Sequence, residues 1–312
     1  MESTKHEITI IVLTYNSGKY LRETLNSLVS QRVNVKWNIF ISDDGSSDET
    51  KSIILEYAET YEDLVSYRFN EKNLGIAGNW FTSIEITQSK YTISIAGDDF
   101  WIDDYVLQKQ YDALECNMDA SMSYFNGYKF NEVDTLNRSE YLTFLPDVSL
   151  FDIEYWMKNG FFALNIQCLM FRKSALPERF EKWMLNCEQE DWLLFFLLLL
   201  KGKCHFQNQF VSMYRVHSNN YTTSGNAIKK LKGGIELIKN INSYTNNKFA
   251  TKFSNGSWRY ERLASAYLVD RQIINFFKTA YLFFSKETNF RKKVNFIKTI
   301  FKHVFLGYIP KY

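Results

Sequence analysis

Four short apolar runs of strand character, Ile8 to Leu13, Trp37 to Ser42, Val65 to Phe69 and Tyr91 to Ala96, are each separated from the next by a helix-forming stretch. Strand and helix signals alternating over short connections predict a mainly parallel α/β sheet covered by helices. The spacing predicts helices over Tyr20 to Gln31, Asp48 to Tyr61 and Gly78 to Thr87. Ser46 followed by Glu49 fits a capping box at the start of the second. A helix over Val106 to Cys116 and a strand over Ala120 to Phe125 follow. The stretch 126–165 is aromatic and weakly periodic, so irregular connections and short strands are expected there. A strand at Gln167 to Phe171, a helix at Asp191 to Lys201 and a strand at Gln209 to Tyr214 come next. From Ser224 onward the pattern is helical, with aromatics and basic residues mixed. The expected division is an α/β domain over 1–224 and a helical region over 225–312, with the break near Gly225.

With 312 residues, 46% of them hydrophobic, the chain can bury a sizeable core. Its 37 Lys and Arg nearly balance 35 Asp and Glu, and the net charge of +2 gives no reason to expect nucleic acid as a partner. Cys116, Cys168, Cys187 and Cys204 include no close pair that would suggest zinc or a redox dithiol, so reduced cysteines in a cytoplasmic protein are expected. The polar stretch Met1 to Glu7 offers no apolar signal segment. The longest apolar run, Trp192 to Leu200, falls short of the roughly 20 residues that cross a bilayer.

Polar clusters stand where the strands run out. In an open α/β sheet, ligands bind at the carboxyl ends of the strands. Those ends carry Thr14-Tyr15-Asn16, Asp43-Asp44-Gly45, Asn73-Leu74-Gly75 and Gly97-Asp98-Asp99-Phe100-Trp101. Further on come Glu190-Asp191-Trp192, ahead of the apolar helix, and Tyr214-Arg215-Val216-His217. Carboxylates on such a rim can hold a divalent cation, and the cation can hold a diphosphate. Each cluster also has a plainer reading: a rim aromatic at Tyr15, turn chemistry at Asp44, helix entry at Asn73 and Gly75, aromatic core packing at Phe100 and Trp101, and helix N-terminal acids at Glu190 and Asp191.

Taken in this order, the clusters resemble the family 2 glycosyltransferases of the GT-A fold, and among them bacterial enzymes of surface-polysaccharide synthesis. The resemblance implies that Tyr15 stacks on a uridine ring and Asp44 accepts its imide N–H, with Thr14, Asn16, Asn73 and Gly75 beside them. It implies that Asp98 is the main ligand of Mn²⁺ or Mg²⁺, with Asp99 a second candidate, and that Trp101 walls the sugar. Ala96 stands where the family usually has its first acid. Asp191 would be the base, with Glu190 next to it. His217 would complete the metal shell or meet the departing phosphate, and Arg215 would add charge there. Asn165 and Gln167 fall in a stretch resembling the acceptor side. The implied activity is inverting, metal-dependent transfer from a nucleotide-sugar, a UDP-sugar first, to a glycan or lipid-linked acceptor. Two other readings stay open: a non-catalytic scaffold, which Ala96 supports, and a sugar-phosphate nucleotidyltransferase. The latter needs a glycine-rich basic loop after the first strand, which Thr14-Tyr15-Asn16-Ser17-Gly18 is not.

Near the end of the chain, Val294, Ile297, Ile300, Phe301, Val304 and Phe305 recur at helical spacing among Arg291, Lys292, Lys293, Lys298 and Lys302. Such a segment suits the anionic inner face of a membrane and with it a lipid-linked acceptor. A helix docked on the protein's own body, or a homodimer contact, would give the same pattern.

Overall fold

The computed structural model describes residues 6–142, 144–162, 164–218, 227–253 and 257–306. They belong to two compact units, one of Met1–Asn186 and Glu190–Ser218, the other of Cys187–Gln189 and Asn219–Tyr312. The break expected near Gly225 lies outside the described residues.

In the first unit β1 (Ile8–Thr14), β2 (Trp37–Asp43), β3 (Val65–Phe69) and β4 (Tyr91–Ala96) run parallel in the order β3-β2-β1-β4. Ile8, Ile10, Ile11 and Val12 are all fully buried, as a strand covered on both faces requires. The crossovers are α1 (Gly18–Val29), α2 (Thr50–Thr60) and α3 (Gly75–Ile86). In α1, Leu21, Leu25 and Leu28 bury one stripe at helical spacing. The capping box at α2 does not form. Asp48 Oδ1 takes the Thr50 N–H at 3.0 Å instead, while the Ser46 hydroxyl is drawn to the buried carboxylate of Asp43.

The sheet continues through β5 (Phe100–Trp101), β6 (Ala120–Asn131), β7 (Asp134–Glu140), β8 (Leu150–Phe151), β9 (Leu169–Arg172) and β10 (Lys203–Val216), with the path β3-β2-β1-β4-β9-β6-β10-β5. Only β9 interrupts the parallel run along the middle, antiparallel to both β4 and β6, and β10 is again parallel to β6. Helices α4 (Val106–Cys116), α5 (Ile153–Lys158), α6 (Lys182–Leu185) and α7 (Glu190–Leu199) complete the unit. The stretch 126–165 is more regular than its periodicity suggests. β6 runs on to Asn131 because Tyr128 stacks on Phe210 of β10 at 4.3 Å and Arg138 of β7 lies over the Tyr128 ring at 4.4 Å. Such cross-strand pairs stabilise a sheet without alternating polarity. The strand expected from Gln167 begins two residues later, since a 3-10 turn occupies Ile166–Cys168.

The second unit is helical: α8 (Ala227–Tyr244), α9 (Ala250–Phe253), α10 (Ser257–Val269), α11 (Ile273–Lys286) and α12 (Phe290–Leu306). Leu263, Tyr267, Phe276, Phe283 and Phe296 form its core, and the Phe283 and Phe296 rings meet at 4.7 Å. Part of the apolar side of α12 is therefore spent inward, through Phe296 and Ile300. The side chains of Phe301, Val304 and Phe305 lie outside the described residues. No described helix is long and apolar enough to cross a membrane.

Candidate active site

Register brings the clusters together. Thr14 pairs with Asp43, and Leu13 with Ala96. Neighbouring strands lie about 4.8 Å apart, so Tyr15, Asp44 and Gly97 leave the sheet side by side. Asp44 N–H donates to the Thr14 carbonyl at 2.9 Å and Gly97 N–H to the Leu13 carbonyl at 2.8 Å. A Cβ on Gly97 would stand 2.9 Å from Thr14 Cγ2 and 3.1 Å from Ser17 Cβ, so only glycine lets the acidic loop pack this closely on the end of β1. Asn16 turns the chain at φ 50°, a conformation asparagine tolerates, with its N–H on Ser46 Oγ at 2.8 Å and its Oδ1 taking the Ser47 N–H at 2.9 Å. Tyr15 beside it is exposed. Thr14 is buried, its hydroxyl on Asp43 Oδ1 at 3.0 Å, so its side chain supports the turn from below and does not reach the rim.

Asp44 gathers Asn73 and Gly75. Its Oδ1 accepts from Leu74 N–H at 2.8 Å and Asn70 Nδ2 at 2.9 Å, its Oδ2 from Gly75 N–H at 3.0 Å, and its carbonyl from Asn73 Nδ2 at 3.1 Å. A carboxylate at the N-terminus of α3 satisfies N–H groups the helix cannot, and complements its dipole. Gly75 itself adopts φ +76°, the left-handed region that favours glycine.

Asp98 and His217 are 119 residues apart, yet His217 Nε2 lies 2.9 Å from Asp98 Oδ2. The chain after Asp99 enters β5, and β5 pairs antiparallel with β10 through Phe100 to Met213 and Trp101 to Ser212. That ladder carries the end of β10 back to the acidic loop. Asp99 is buried and its Oδ1 takes the Arg215 N–H at 2.8 Å, fastening the two segments. Burial, and then the neighbouring Asp98 charge, push its carboxyl well above the usual carboxylate range. Asp99 thus turns inward, away from the position expected of a second metal ligand.

Two further residues sit elsewhere than expected. Trp101 is 4% exposed and its indole N–H donates to the Gln167 carbonyl at 2.9 Å, so it is a core residue and not a sugar wall. Arg215 does not extend toward a ligand. Its guanidinium is boxed by Tyr20 at 4.7 Å, Phe130 at 4.8 Å and Phe100 at 5.5 Å, with Nε on the Asp98 carbonyl at 2.9 Å and a terminal nitrogen on Glu23. Arg215 therefore fixes the loop that presents Asp98. Arg215→Lys should cost about 2 kcal/mol in denaturant unfolding, since a lysine cannot serve the fork and the aromatic box together. Native-like stability would count against that role.

The sequence reading missed Tyr20 and Tyr141. Tyr20 lies 4.9 Å from the His217 ring, and its hydroxyl donates to Glu132 at 2.5 Å, which fixes the face His217 packs on. Nothing in a tyrosine early in an amphipathic helix signals that. Tyr141 meets the Tyr214 ring edge-on at 5.5 Å, and burial, followed by the Asp191 charge, pushes its phenol up. Asp191 and Glu190 open α7, with Asp191 Oδ1 taking the Trp192 N–H at 2.7 Å. Burial raises the Asp191 carboxyl above its ordinary value, against the hydrogen bond that would lower it. Asn165 and Gln167 are buried, the first accepting the second's N–H at 3.2 Å, and Gln167 reaching Ser212 Oγ at 3.3 Å.

Among the described residues no group of three or more His, Cys, Asp or Glu could enclose a cation. The Asp98–His217 pair still fits one. Mg²⁺ and Mn²⁺ are commonly held by one or two protein ligands while substrate phosphates and water fill the remaining positions, and one carboxylate with one imidazole is such a set.

The profile described as glycosyl transferase family 2 matches residues 9–180, and the chain belongs to that family. An uncharacterised Mycobacterium tuberculosis protein is 25% identical over 214 residues, covering 68% of this chain, which in turn spans only 59% of that relative's length. TuaG of Bacillus subtilis, named for teichuronic acid biosynthesis, is 30% identical over 135 residues, 43% of this chain and 51% of its own. Among solved structures, Staphylococcus aureus TarS in complex with UDP-GlcNAc aligns at TM-score 0.55 and 15% identity over 97% of this chain and 82% of its own. The mannosyltransferase PcManGT of Pyrobaculum calidifontis, with GDP-Man and Mn²⁺, aligns at 0.54 and 12% over 98% and 89%. The fold is thus GT-A.

Proposed function

We propose that the chain is an inverting glycosyltransferase that takes a sugar from a UDP-sugar and passes it to a hydroxyl of a glycan or lipid-linked saccharide, in the synthesis of a bacterial surface polysaccharide. The observation that carries this reading is that Tyr15, Asp44 and the Asp98–His217 pair leave the same edge of one sheet. An exposed Tyr15 ring can stack on a pyrimidine base. A carboxylate accepts about four hydrogen bonds. Asn70, Leu74 and Gly75 supply three to Asp44, which leaves it capacity for an imide N–H.

Asp98 with His217 would hold Mn²⁺ or Mg²⁺, which neutralises the diphosphate as it leaves. Asp191 takes the proton from the acceptor hydroxyl while that oxygen bonds to the anomeric carbon and the bond from that carbon to the phosphate oxygen breaks. One displacement with one base and no covalent sugar intermediate inverts the anomeric centre. A carboxyl raised by burial is a stronger base than an exposed one, which suits this task near neutral pH. TarS with UDP-GlcNAc supports a UDP donor by likeness of fold, and TuaG supports a surface-polymer acceptor by likeness of sequence.

Ala96, at the end of β4, favours a second reading in which the fold binds nucleotide without turnover. One experiment separates the two: UDP-, GDP- and dTDP-sugars are incubated with the chain and Mn²⁺, and the released nucleoside diphosphate is measured. Hydrolysis of a UDP-sugar that EDTA abolishes is expected. Tight UDP binding with no turnover of any donor would leave the scaffold. Pyrophosphate released from a nucleoside triphosphate would point to a nucleotidyltransferase instead.

A further inference from the structure

The helical unit buries one face of α11 and leaves a second apolar face in the open. Phe276, Ala280 and Phe283 go into its core. On the other side Ile274 is 73% exposed, Phe277 65% and Tyr281 72%. These three, with Lys278, fall at i, i+3, i+4 and i+7 and share one helix face. On α12, Phe290 is 79% exposed and Ile297 54%, also on one face, seven residues apart. Single exposed apolar residues are ordinary, but aromatics repeated along a helix face mark a surface that something covers.

Charge identifies the occupant. From Ile273 to Leu306 the sequence has seven cations, Lys278, Lys286, Arg291, Lys292, Lys293, Lys298 and Lys302, against the single acid Glu287, a net charge of +6. The whole chain carries +2, so everything else sums to −4. Glu287 is itself buried, 3.8 Å from Lys292, and its charge is already counted in the +6. A second copy docked on this face would set +6 against +6. An anionic lipid surface takes both features at once, aromatics and isoleucine entering the interface while lysines meet the headgroups.

We propose that the outward face of α11, centred on Ile274, Phe277 and Tyr281, seats the protein on an anionic membrane surface with the helix lying in the plane of the interface. The sequence pattern pointed to α12 for such a role. In the structure α12 spends Phe296 and Ile300 on its own unit, while α11 exposes Ile274, Phe277 and Tyr281 together on one described face.

Flotation of the full chain tests this, with vesicles of phosphatidylcholine alone and of phosphatidylcholine containing about one third phosphatidylglycerol. The chain is expected to float with the anionic vesicles and stay behind with the neutral ones. The double variant Phe277→Ser/Tyr281→Ser should partition at least about tenfold less, and Lys278→Glu should also weaken binding. Both keep the core residues, and an unchanged rate of donor hydrolysis checks that they fold. Three results would overturn the proposal: no flotation with anionic vesicles, flotation of the double variant like that of the native chain, or a dimer in solution that the double variant dissolves. The last would assign the face to a second copy.

Discussion

Asp191→Asn is expected to lower sugar transfer about a thousandfold while leaving donor binding within about twofold, the signature of a group that acts only as the transition state forms. Asparagine has the same shape, and its Oδ1 can keep the Trp192 N–H, so packing at the head of α7 is preserved. What it lacks is the capacity to take a proton. Burial raises the native carboxyl, so the proton stays bound to a higher pH than on an ordinary aspartate. The acid limb of kcat/KM should therefore lie above the usual carboxylate range, with activity lost as pH falls through the raised value. Stability runs the other way. The folded chain holds this proton more tightly than the unfolded one, so ionising Asp191 costs stability as pH rises from the unfolded to the folded value. At neutral pH the asparagine variant should melt at or above the native temperature, a trade of stability for activity common at active sites. Initial rates against pH, donor calorimetry and thermal melts together check this. Undiminished transfer by the variant would remove Asp191 from the chemistry.

Much of the architecture was legible because parallel strands covered on both faces announce themselves as apolar runs. β3, β4 and α4 fall where the sequence puts them, and β1 and β2 run one residue longer. The ends of the strands were legible for the same reason: where the apolar runs stop, Tyr15, Asp44 and Gly97 begin, and parallel register does the rest. Trp101 was not, because an aromatic after an acidic turn looks alike whether it lines a ligand or the core. The Gln167 carbonyl that claims its indole lies 66 residues away. Arg215 has the same ambiguity. A cation two residues before His217 suggests a phosphate partner, and only the aromatic box of Tyr20, Phe100 and Phe130, drawn from three separate elements, turns it into a brace. The stretch 126–165 held its order in cross-strand ring contacts, which one-dimensional periodicity does not register.

The two acids of the Gly97-Asp98-Asp99 loop should separate cleanly on substitution. Asp98→Asn keeps the volume but removes the charge beside His217 Nε2. A hard divalent cation prefers carboxylate oxygen, so Mn²⁺-supported nucleotide binding should weaken at least about a hundredfold and transfer should fall with it. Asp99→Asn should do neither. Its Oδ1 can still take the Arg215 N–H, and a neutral side chain is what its buried position favours, so β10 stays fastened and stability is kept or raised. Calorimetric titration of UDP into each variant, with Mn²⁺ and with EDTA, reads the difference directly. In EDTA the native chain and Asp98→Asn should bind alike, because the lost charge matters through the cation. If Asp99→Asn were the variant that lost Mn²⁺-dependent binding, the inward-facing acid would be the ligand, and the Asp98–His217 pair would have only a structural part.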